Sequence, residues 1–404
     1  MRLTILPSRA AGEMTAPPSK SAAHRLLICA GLARGQSVIR NLDASQDILA
    51  TADCLRALGA RVKLQDGIAE VTGFDREAVP NGTLLPCREC GSTLRFFLPL
   101  ALLDGRKITL TGTKKLLSRP MAVYEEICRG QNILYRQSDD ALTVCGRLTP
   151  GEYTVPGDIS SQFVSGLLFA LPLLSGDSVI RLLPPVESRP YIDMTRQALS
   201  LYGVETCMDG DTITVPGNQH YVPRDVAVEG DWSNAAFFEA LNTLGGQVSL
   251  NGLNADSLQG DRICRDYFAA LRRGTPTLDL SDCPDLGPVC MALAAALHGA
   301  RFTGTRRLRL KESDRAAAMA EELRKFGAEV TVEDDSVLVR GGITAPTQEL
   351  CGHNDHRIVM ALSVLASVTG GTIRGVEAVA KSLPDFFTRL KNLGIEVSED
   401  GMDQ

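Results

Sequence analysis

Apolar residues recur along the chain in long stretches, each opened by small or polar residues and closed by a glycine before an alternating segment. Six copies of this pattern begin at Ser21, Gly91, Ser160, Asp231, Asp285 and Asp355. Their starts are separated by 70, 69, 71, 54 and 70 residues. A near-constant period predicts six structural repeats, of which the fourth is shortened.

A second pattern lies between these stretches. It is an amphipathic helix that ends in an apolar residue and a glycine and is followed by two short alternating segments, as in residues 55–73, 198–217 and 323–342. Asp-Gly or Asp-Asp between alternating apolar residues predicts a hairpin turn. Each repeat is therefore predicted to run β-α-β-α-β-β.

The helices of the first pattern are apolar on nearly all sides, which is typical of buried helices. We therefore expect an α/β fold with helices inside and sheets outside. Six repeats divide most simply into two lobes of three, and the 54-residue interval suggests that the second lobe starts near Asp231. The opening segment, residues 1–6, reads as a strand that could belong to either lobe.

Composition excludes several classes of protein. The net charge is −6 and no run of Lys or Arg stands out, so we expect no nucleic-acid partner. Polar residues and glycines interrupt the apolar stretches, and the first residues do not resemble a signal peptide, so we expect no membrane span. Eleven scattered cysteines predict reduced thiols in the cytoplasm. Cys87 and Cys90 form the single CxxC motif of the sequence, and one such motif is weak support for a metal or redox site. We therefore expect no metal and no cofactor.

Cations recur at or just before the predicted helix starts, where the helix dipole disfavours them. They are Lys20, Arg25, Arg119, Arg189, Lys311, Arg315, Arg357 and Lys381. Any one of them could pair with a nearby carboxylate on the surface. Because Arg119-Pro120 and Arg189-Pro190 are 70 residues apart, they occupy equivalent places in two repeats. If these helix starts converge, they form a strong anion-binding site.

Hydroxyls and carboxylates accompany these cations. Ser160, Ser161 and Ser188 stand at helix starts as anion donors or as plain N-caps. Asp285 and Glu312 could be bases, caps or ion-pair partners, and for Asp285 alone the cap is favoured. His356 could carry a proton, although a packed structural role is favoured by about two to one.

Nine short segments, taken in order, resemble the 5-enolpyruvylshikimate-3-phosphate synthase family of enolpyruvyl transferases over nearly the whole chain. They are residues 18–25, 91–95, 119–120, 160–162, 188–191, 229–231, 311–315, 354–357 and 381–386. The resemblance implies a two-lobed, inside-out α/β barrel with three repeats per lobe and the active site between the lobes. It assigns residues 1–15 and 229–404 to the C-terminal lobe and residues 16–228 to the N-terminal lobe.

The resemblance also implies the reaction and the site. The enolpyruvyl group of phosphoenolpyruvate would be transferred to the 5-hydroxyl of shikimate 3-phosphate, and phosphate would be released. The enzyme would be a cytoplasmic monomer. Shikimate 3-phosphate would contact Lys20, Ser21, Arg25, Ser160, Ser161, Gln162, Ser188, Asp285 and Lys311. Phosphoenolpyruvate would contact Lys20, Gly91, Arg119, Gln162, Arg315, Arg357 and Lys381. Asp285 is the candidate base, and either Glu312 or Lys20 would protonate C3.

Three positions depart from the family pattern: Glu89, Phe96 and Arg307. Alternative functions are the sister enzyme that transfers enolpyruvate to UDP-N-acetylglucosamine and a non-catalytic anion-binding relative. The sister enzyme carries a catalytic Cys in a Gly-rich loop before Arg-Pro, whereas residues 113–118 contain neither Cys nor Gly. A third alternative, RNA-end chemistry on a related repeat fold, lacks the basic surface and nucleotide site that it would require.

Overall fold

The computed structural model describes residues 1–399 and divides the chain into two compact units. We call residues 18–229 the continuous unit, and residues 1–17 together with 230–404 the split unit. Residues 400–404, which the resemblance assigns to the C-terminal lobe, lie outside the described residues. The chain opens in the split unit with β1 (Arg2–Ile5) and β2 (Ala11–Thr15).

The continuous unit contains three repeats. Its elements are α1 (Lys20–Leu32), β3 (Gln36–Arg40), α2 (Gln46–Ala57), β4 (Arg61–Gln65), β5 (Ile68–Thr72), β6 (Thr83–Pro86), α3 (Gly91–Ala101), β7 (Lys107–Thr111), α4 (Lys114–Leu117), α5 (Ala122–Gly130), β8 (Leu134–Gln137), β9 (Ala141–Cys145), β10 (Glu152–Pro156), α6 (Ser161–Ala170), β11 (Ser178–Leu183), α7 (Arg189–Leu201), β12 (Cys207–Asp209), β13 (Thr212–Val215) and β14 (Val226–Ala227).

The split unit continues after residue 229. Its elements are α8 (Trp232–Thr243), β15 (Gln247–Asn251), α9 (Cys264–Arg273), β16 (Thr277–Asp279), α10 (Gly287–Ala296), β17 (Ala300–Thr303), α11 (Arg315–Lys325), β18 (Val330–Val332), β19 (Ser336–Val339), β20 (Leu350–Cys351), α12 (His356–Thr369), β21 (Gly371–Arg374), α13 (Phe386–Asn392) and β22 (Val397–Glu399). Short 3-10 turns at Gly260–Ile263, Pro284–Leu286, Arg306–Leu310 and Val376–Lys381 link several of them.

The three sheets of the continuous unit share one strand order. They run β14-β3-β5-β4, β6-β7-β9-β8 and β10-β11-β13-β12. In each sheet the first pair is parallel and the other pairs are antiparallel. In two sheets a buried helix, α3 or α6, connects the parallel strands, whereas β14 pairs with β3 from the other end of the unit. This common order confirms the predicted β-α-β-α-β-β repeat.

The split unit varies the same plan. One sheet, β16-β17-β19-β18, keeps the common order, whereas β15-β2 has only two strands and corresponds to the shortened fourth repeat. In the sixth repeat the order is β20-β21-β1-β22, so the first strand of the chain fills a hairpin position. Leu3 lies opposite Ile373 in this sheet.

Each unit has its own apolar core, built on the helices that are apolar on nearly all sides. In the continuous unit these are α1, α3 and α6, and in the split unit α8, α10 and α12. Side chains such as Leu27, Phe163 and Leu293 are fully buried. The sheets lie around these helices, as the sequence pattern predicts. Among residues 1–399, no helix combines the length and apolarity that a membrane crossing requires.

Candidate active site

A polar cluster of the split unit forms where three helices begin. Asp285 lies in the 3-10 turn before α10, Arg315 is the first residue of α11, and Arg357 is the second residue of α12. Because α10 packs against both α11 and α12, these three starts lie together. The structure therefore brings side chains from two repeats of this unit into contact.

Asp285 is surrounded by cations. Its Oδ1 accepts a hydrogen bond from Arg315 Nη1 at 2.8 Å and lies 3.4 Å from Lys311 Nζ. Its Oδ2 accepts from Arg357 Nη2 at 3.1 Å. The carboxylate side chain is 19% exposed, whereas the side chains of Arg315 and Arg357 are 2% and 4% exposed. A small polar group can therefore reach Asp285 more easily than it can reach the arginines.

Arg315 joins three carboxylates. Besides Asp285, its Nη2 donates to Glu312 Oε2 at 2.7 Å and its Nε donates to Asp355 Oδ2 at 2.9 Å. Asp355 also caps α12 by accepting from the Arg357 N–H at 3.0 Å, and it accepts from the Ser313 hydroxyl at 3.0 Å. Charge-assisted hydrogen bonds thus fix the cluster, and one of them also gives a partner to a backbone N–H at the start of α12.

These contacts shift the pKa values of the cluster. Burial alone would raise the pKa of Asp285, but Arg357, Lys311 and Arg315 outweigh it and hold that pKa well below its usual range. Burial lowers the pKa of Lys311, an effect that Asp285 opposes. Arg315 and other neighbours likewise overcome the effect of burial and lower the pKa of Asp355. Asp285 is therefore a carboxylate near neutral pH.

The contacts correct the interpretation of Asp285 as a helix cap. The N-cap position of α10 belongs to Leu286, and the Asp285 carboxylate points at Lys311, Arg315 and Arg357 instead. The reason is tertiary: the neighbouring helix starts supply cations that bind a carboxylate more strongly than backbone N–H groups do.

Two further residues of the split unit lie near this cluster in the fold. Lys381, at the end of the turn Val376–Lys381, donates from Nζ to the Asn354 carbonyl at 2.7 Å, one residue before Asp355. His356 opens α12 and is 1% exposed, with Nδ1 3.9 Å from Asp355 Oδ1. The structure thus links Lys381 to the loop before α12.

In the continuous unit, the first helix carries two of the predicted cations. Lys20, the first residue of α1, donates from Nζ to Asp47 Oδ2 at 2.7 Å, in the first turn of α2. Arg25 lies one turn further along α1 and is buried. Lys20 and Asp47 both have side chains that are 15% exposed, so this ion pair remains accessible.

The guanidinium of Arg25 is held from several sides. Its Nε donates to Thr195 Oγ1 at 2.8 Å, its Nη1 to the Ser21 carbonyl at 2.6 Å, and its Nη2 to Ser165 Oγ and the Tyr191 carbonyl at 3.4 and 2.9 Å. These bonds use four of the five N–H groups of the side chain. Burial lowers the pKa of Arg25 to about 10.

Gln162 is fixed at the start of α6. Its Oε1 accepts from Arg95 Nη1 at 2.7 Å and its Nε2 donates to Ser92 Oγ at 2.9 Å. The hydroxyl of Ser160 caps the same helix by accepting from the Gln162 N–H at 3.3 Å, and Ser161 is the first helical residue. The N-cap interpretation of Ser160 is therefore confirmed, and the amide of Gln162 has a defined orientation.

Gly91 and Arg119 lie in direct contact. A Cβ placed on Gly91 would come within 2.5 Å of Arg119 Nη1, so only glycine allows this approach. Among the described residues, Nε and Nη2 of Arg119 are buried and have no hydrogen-bond partner. Arg119 lies between α4 and α5, and α5 begins only at Ala122, three residues after the predicted helix start at Arg119. A desolvated guanidinium beside the N-terminus of α3 favours an anion.

Ser188 and Arg189 open α7 in different ways. Ser188 is buried and adopts a left-handed backbone conformation with φ 58°, which is costly for a residue other than glycine. Arg189 pairs with Asp211 and donates to the Gly210 carbonyl, so its guanidinium is directed to a hairpin turn. For Arg189, the alternative of an ion pair with a nearby carboxylate is therefore confirmed.

Two groups of side chains in the described part of the chain have metal-ligand spacing: His24, Asp47 and Cys90, and Glu321, Glu322 and His353. In each group a lysine already binds the central carboxylate, Lys20 at Asp47 and Lys325 at Glu322. These contacts fit ion pairs better than a resident metal site.

Sequence reasoning missed most of the partners that hold the predicted residues. Asp47, Thr195 and Ser165 bind Lys20 or Arg25, although they are 27, 170 and 140 residues away in the chain. A usable signal existed for Asp47, which follows the N-cap serine of a predicted helix in the same repeat as Lys20. None existed for Thr195, whose role depends on the packing of α7 against α1.

The repeat architecture, with cations gathered around a carboxylate in one unit and buried arginines at helix starts in the other, fits an enzyme that acts on small organic anions, as the resemblance to enolpyruvyl transferases implies. A profile of the family described as EPSP synthase (3-phosphoshikimate 1-carboxyvinyltransferase) matches residues 6–390. The chain belongs to the EPSP synthase family.

Individual relatives agree with this assignment. The chain is 41% identical to the 3-phosphoshikimate 1-carboxyvinyltransferase of Clostridium kluyveri, with 98% of each chain covered. It is 37% identical to the protein of the same name from Clostridioides difficile, with 99% of each covered. In fold, it is similar to a solved EPSP synthase from Acinetobacter baumannii, with a TM-score of 0.79 over 98% of this chain and 100% of the other at 23% identity.

Proposed function

We propose that this chain transfers the enolpyruvyl group of phosphoenolpyruvate to the 5-hydroxyl of shikimate 3-phosphate and releases phosphate. The observation that carries the proposal is the position of Asp285 among Lys311, Arg315 and Arg357 in the split unit. A carboxylate and several fixed cations are the groups that this reaction needs, because it moves one proton from a hydroxyl while two anionic groups are held.

The reaction has two stages. In the first, the 5-hydroxyl oxygen bonds to C2 of phosphoenolpyruvate, the hydroxyl proton passes to a base, and C3 takes up a proton. In the second, the C2–O bond to phosphate breaks and C3 loses a proton, which restores the double bond. Asp285 is our proposed base, and either Glu312 or Lys20 protonates C3.

The ion pairs of Asp285 suggest how its basicity is tuned. The cations that keep its pKa low include Arg315 and Arg357, which we propose bind the phosphoenolpyruvate anion. When substrate oxygens share these cations, the attraction that holds the Asp285 carboxylate weakens and its pKa rises. Substrate binding would thus convert a weak base into a stronger one at the moment when it is needed.

We assign the remaining predicted residues as the family resemblance implies. Gly91, Arg119 and Gln162 would bind phosphoenolpyruvate together with Lys20, Arg315, Arg357 and Lys381. Shikimate 3-phosphate would be held by Ser21, Arg25, Ser160, Ser161, Gln162, Ser188, Lys20, Asp285 and Lys311. Support comes from the buried, unpartnered Nε and Nη2 of Arg119 and from the fixed amide of Gln162.

One observation favours shikimate 3-phosphate over a UDP-sugar as the acceptor. The segment before Arg119 forms the short helix α4, in which Leu116 and Leu117 are buried, instead of a glycine-rich loop with a catalytic cysteine. The sister enzyme's cysteine chemistry therefore has no counterpart in this segment.

We also propose that the enzyme works as a monomer in the cytoplasm. Its eleven cysteines are all free, and most are buried, which suits a reducing compartment. Light scattering should give a mass near 43.4 kDa. A stable mass of twice that value would contradict the monomer.

Phosphate release tests the proposed function. Wild-type protein is incubated with phosphoenolpyruvate and shikimate 3-phosphate, with each substrate omitted in turn and with UDP-N-acetylglucosamine as the alternative acceptor. We expect release only when phosphoenolpyruvate and shikimate 3-phosphate are both present. Release with the UDP-sugar, or no release with either acceptor, would overturn the proposal.

A further inference from the structure

A closed set of hydrogen bonds joins the first two turns of α1, α2 and α3. His24 Nδ1 lies 2.7 Å from Thr51 Oγ1, and Thr51 Oγ1 lies 2.8 Å from Thr93 Oγ1. The Thr93 N–H donates to Cys90 Sγ at 3.4 Å, and Cys90 Sγ lies 3.9 Å from His24 Nε2. All four side chains are buried. We call these four residues the buried ring.

The buried ring lies directly below residues of the proposed site. His24 is one helical turn after Lys20, and Thr51 is one turn after Asp47, so each pair shares a helix face. Cys90 is the N-cap of α3, whose first residue is Gly91. The ring therefore connects the three helix starts that carry the Lys20–Asp47 ion pair and the contact between Gly91 and Arg119.

Complete satisfaction of the ring requires a neutral histidine. If Nδ1 carries the proton, it donates to Thr51 and Nε2 accepts from the Cys90 thiol, and in the other tautomer both bonds reverse. Burial lowers the pKa of His24 to about 3; Asp47 opposes this shift, whereas Lys20 and Arg25 act in the same direction as burial. Burial likewise raises the pKa of the Cys90 thiol. Neither group is suited to proton transfer near neutral pH.

We propose that the buried ring is a positioning device that sets the distance between Lys20 and Gly91 and thereby the affinity for phosphoenolpyruvate. The proposal rests on the proposed function, because it takes Lys20 and Gly91 as ligands of that substrate. The ring residues touch no substrate themselves. They act by preventing the three helix starts from shifting relative to one another, since a buried hydrogen-bonding group left without a partner is costly.

Thr51→Val tests the proposal, because it keeps the side-chain shape and removes the hydroxyl that bonds to both His24 and Thr93. We expect the KM for phosphoenolpyruvate to rise roughly tenfold, which corresponds to ~1.4 kcal/mol. The KM for shikimate 3-phosphate should change less, because its proposed ligands Lys20, Ser21 and Arg25 all lie on α1 and keep their spacing, whereas phosphoenolpyruvate has proposed ligands on both α1 and α3. Thr51→Ser retains a hydroxyl and should restore the wild-type KM.

Thr109→Val is the matched control. Thr109 makes a similar threonine–threonine bond, 2.9 Å to Thr143, but in a sheet of the same unit. It should lower the melting temperature without changing either KM. If Thr51→Val behaves as Thr109→Val does, with the KM for phosphoenolpyruvate within twofold of wild type, the ring only stabilises the fold and the proposal is wrong.

Nitrogen-15 NMR of the His24 ring gives a second test on the wild-type protein, independent of activity and of whether a variant folds. We expect a neutral imidazole ring from pH 8 down to pH 5, because either neutral tautomer satisfies the buried ring. Protonation near pH 6 would overturn the proposal even if the enzyme were active. Absence of phosphate release in the wild type would instead count against the proposed function alone.

Discussion

Replacement of Asp285 by asparagine separates its chemical role from its structural one. The change keeps the size of the side chain but removes the charge that faces Lys311, Arg315 and Arg357. Breaking a buried ion pair by removing one partner costs about 3–5 kcal/mol. Because Arg315 keeps Glu312 and Asp355, and because Asp285 is partly exposed, we expect a loss at the low end, ~3 kcal/mol.

This loss should be visible as a lower melting temperature. For a unit of this size, 1 kcal/mol shifts the transition by about 2–4 °C, so the variant should melt ~6–12 °C below wild type. Interpreting Asp285 as a cap predicts no change, since asparagine and aspartate cap about equally well. Asp314→Asn is the matched control, because Asp314 caps α11 through the Ala317 N–H and should tolerate the change.

The turnover of Asp285→Asn should fall by more than the loss of folded protein accounts for. Loss of a positioned base costs roughly 10²–10⁴ in kcat, measured below the melting transition of the variant. Binding of phosphoenolpyruvate should become tighter, since its oxygens no longer compete with Asp285 for Arg315 and Arg357. A variant that melts like wild type and turns over within a few-fold of it would refute the reasoning, and Glu312 would become the next candidate base.

Three further changes test other parts of the structure. Gly91→Ala should displace Arg119 and raise the KM for phosphoenolpyruvate at least tenfold with little effect on melting, and an unchanged KM would remove Arg119 from the site. Ser188→Gly should relieve the left-handed backbone, worth ~1 kcal/mol, while raising the KM for shikimate 3-phosphate, and a lower melting temperature would contradict this. Burial and the nearby Asp285 raise the pKa of Asp261 to about 6. The folded protein therefore favours the protonated carboxyl, which contributes fully to the free energy of unfolding below pH 4, and this contribution is lost as the pH rises through 6. Asp261→Asn should therefore raise the melting temperature at pH 7.5 but not at pH 4, and equal effects at both would exclude this titration.

The fold was largely predictable because short segments of the sequence indicate the helices and hairpins of each repeat. The starts of the apolar helices recur about every 70 residues apart from one interval of 54, and turn residues such as Asp66-Gly67 mark the hairpins. The position of β1 was not determined by those patterns, since its partners β21 and β22 lie at the other end of the chain. A short sequence segment does not indicate which distant strand it will pair with.

The candidate site was predictable as a set of residues but not as a set of contacts. The sequence indicates cations at helix starts, yet it does not reveal that Arg189 would bind Asp211 while Arg315 would bind three carboxylates. It likewise favours a cap for Asp285, because the competing cations come from α11 and α12. Such choices depend on which helices pack together, which is a property of the whole unit.

The chemical fate of both substrates tests the central claim most directly. Wild-type protein is mixed with shikimate 3-phosphate and phosphoenolpyruvate labelled with carbon-13 at C2, and the products are followed by carbon-13 and phosphorus-31 NMR. We predict that one equivalent of inorganic phosphate appears for each labelled carboxyvinyl ether formed on the 5-hydroxyl. Phosphate release with the label recovered as pyruvate, or a label that remains in phosphoenolpyruvate, would contradict the account.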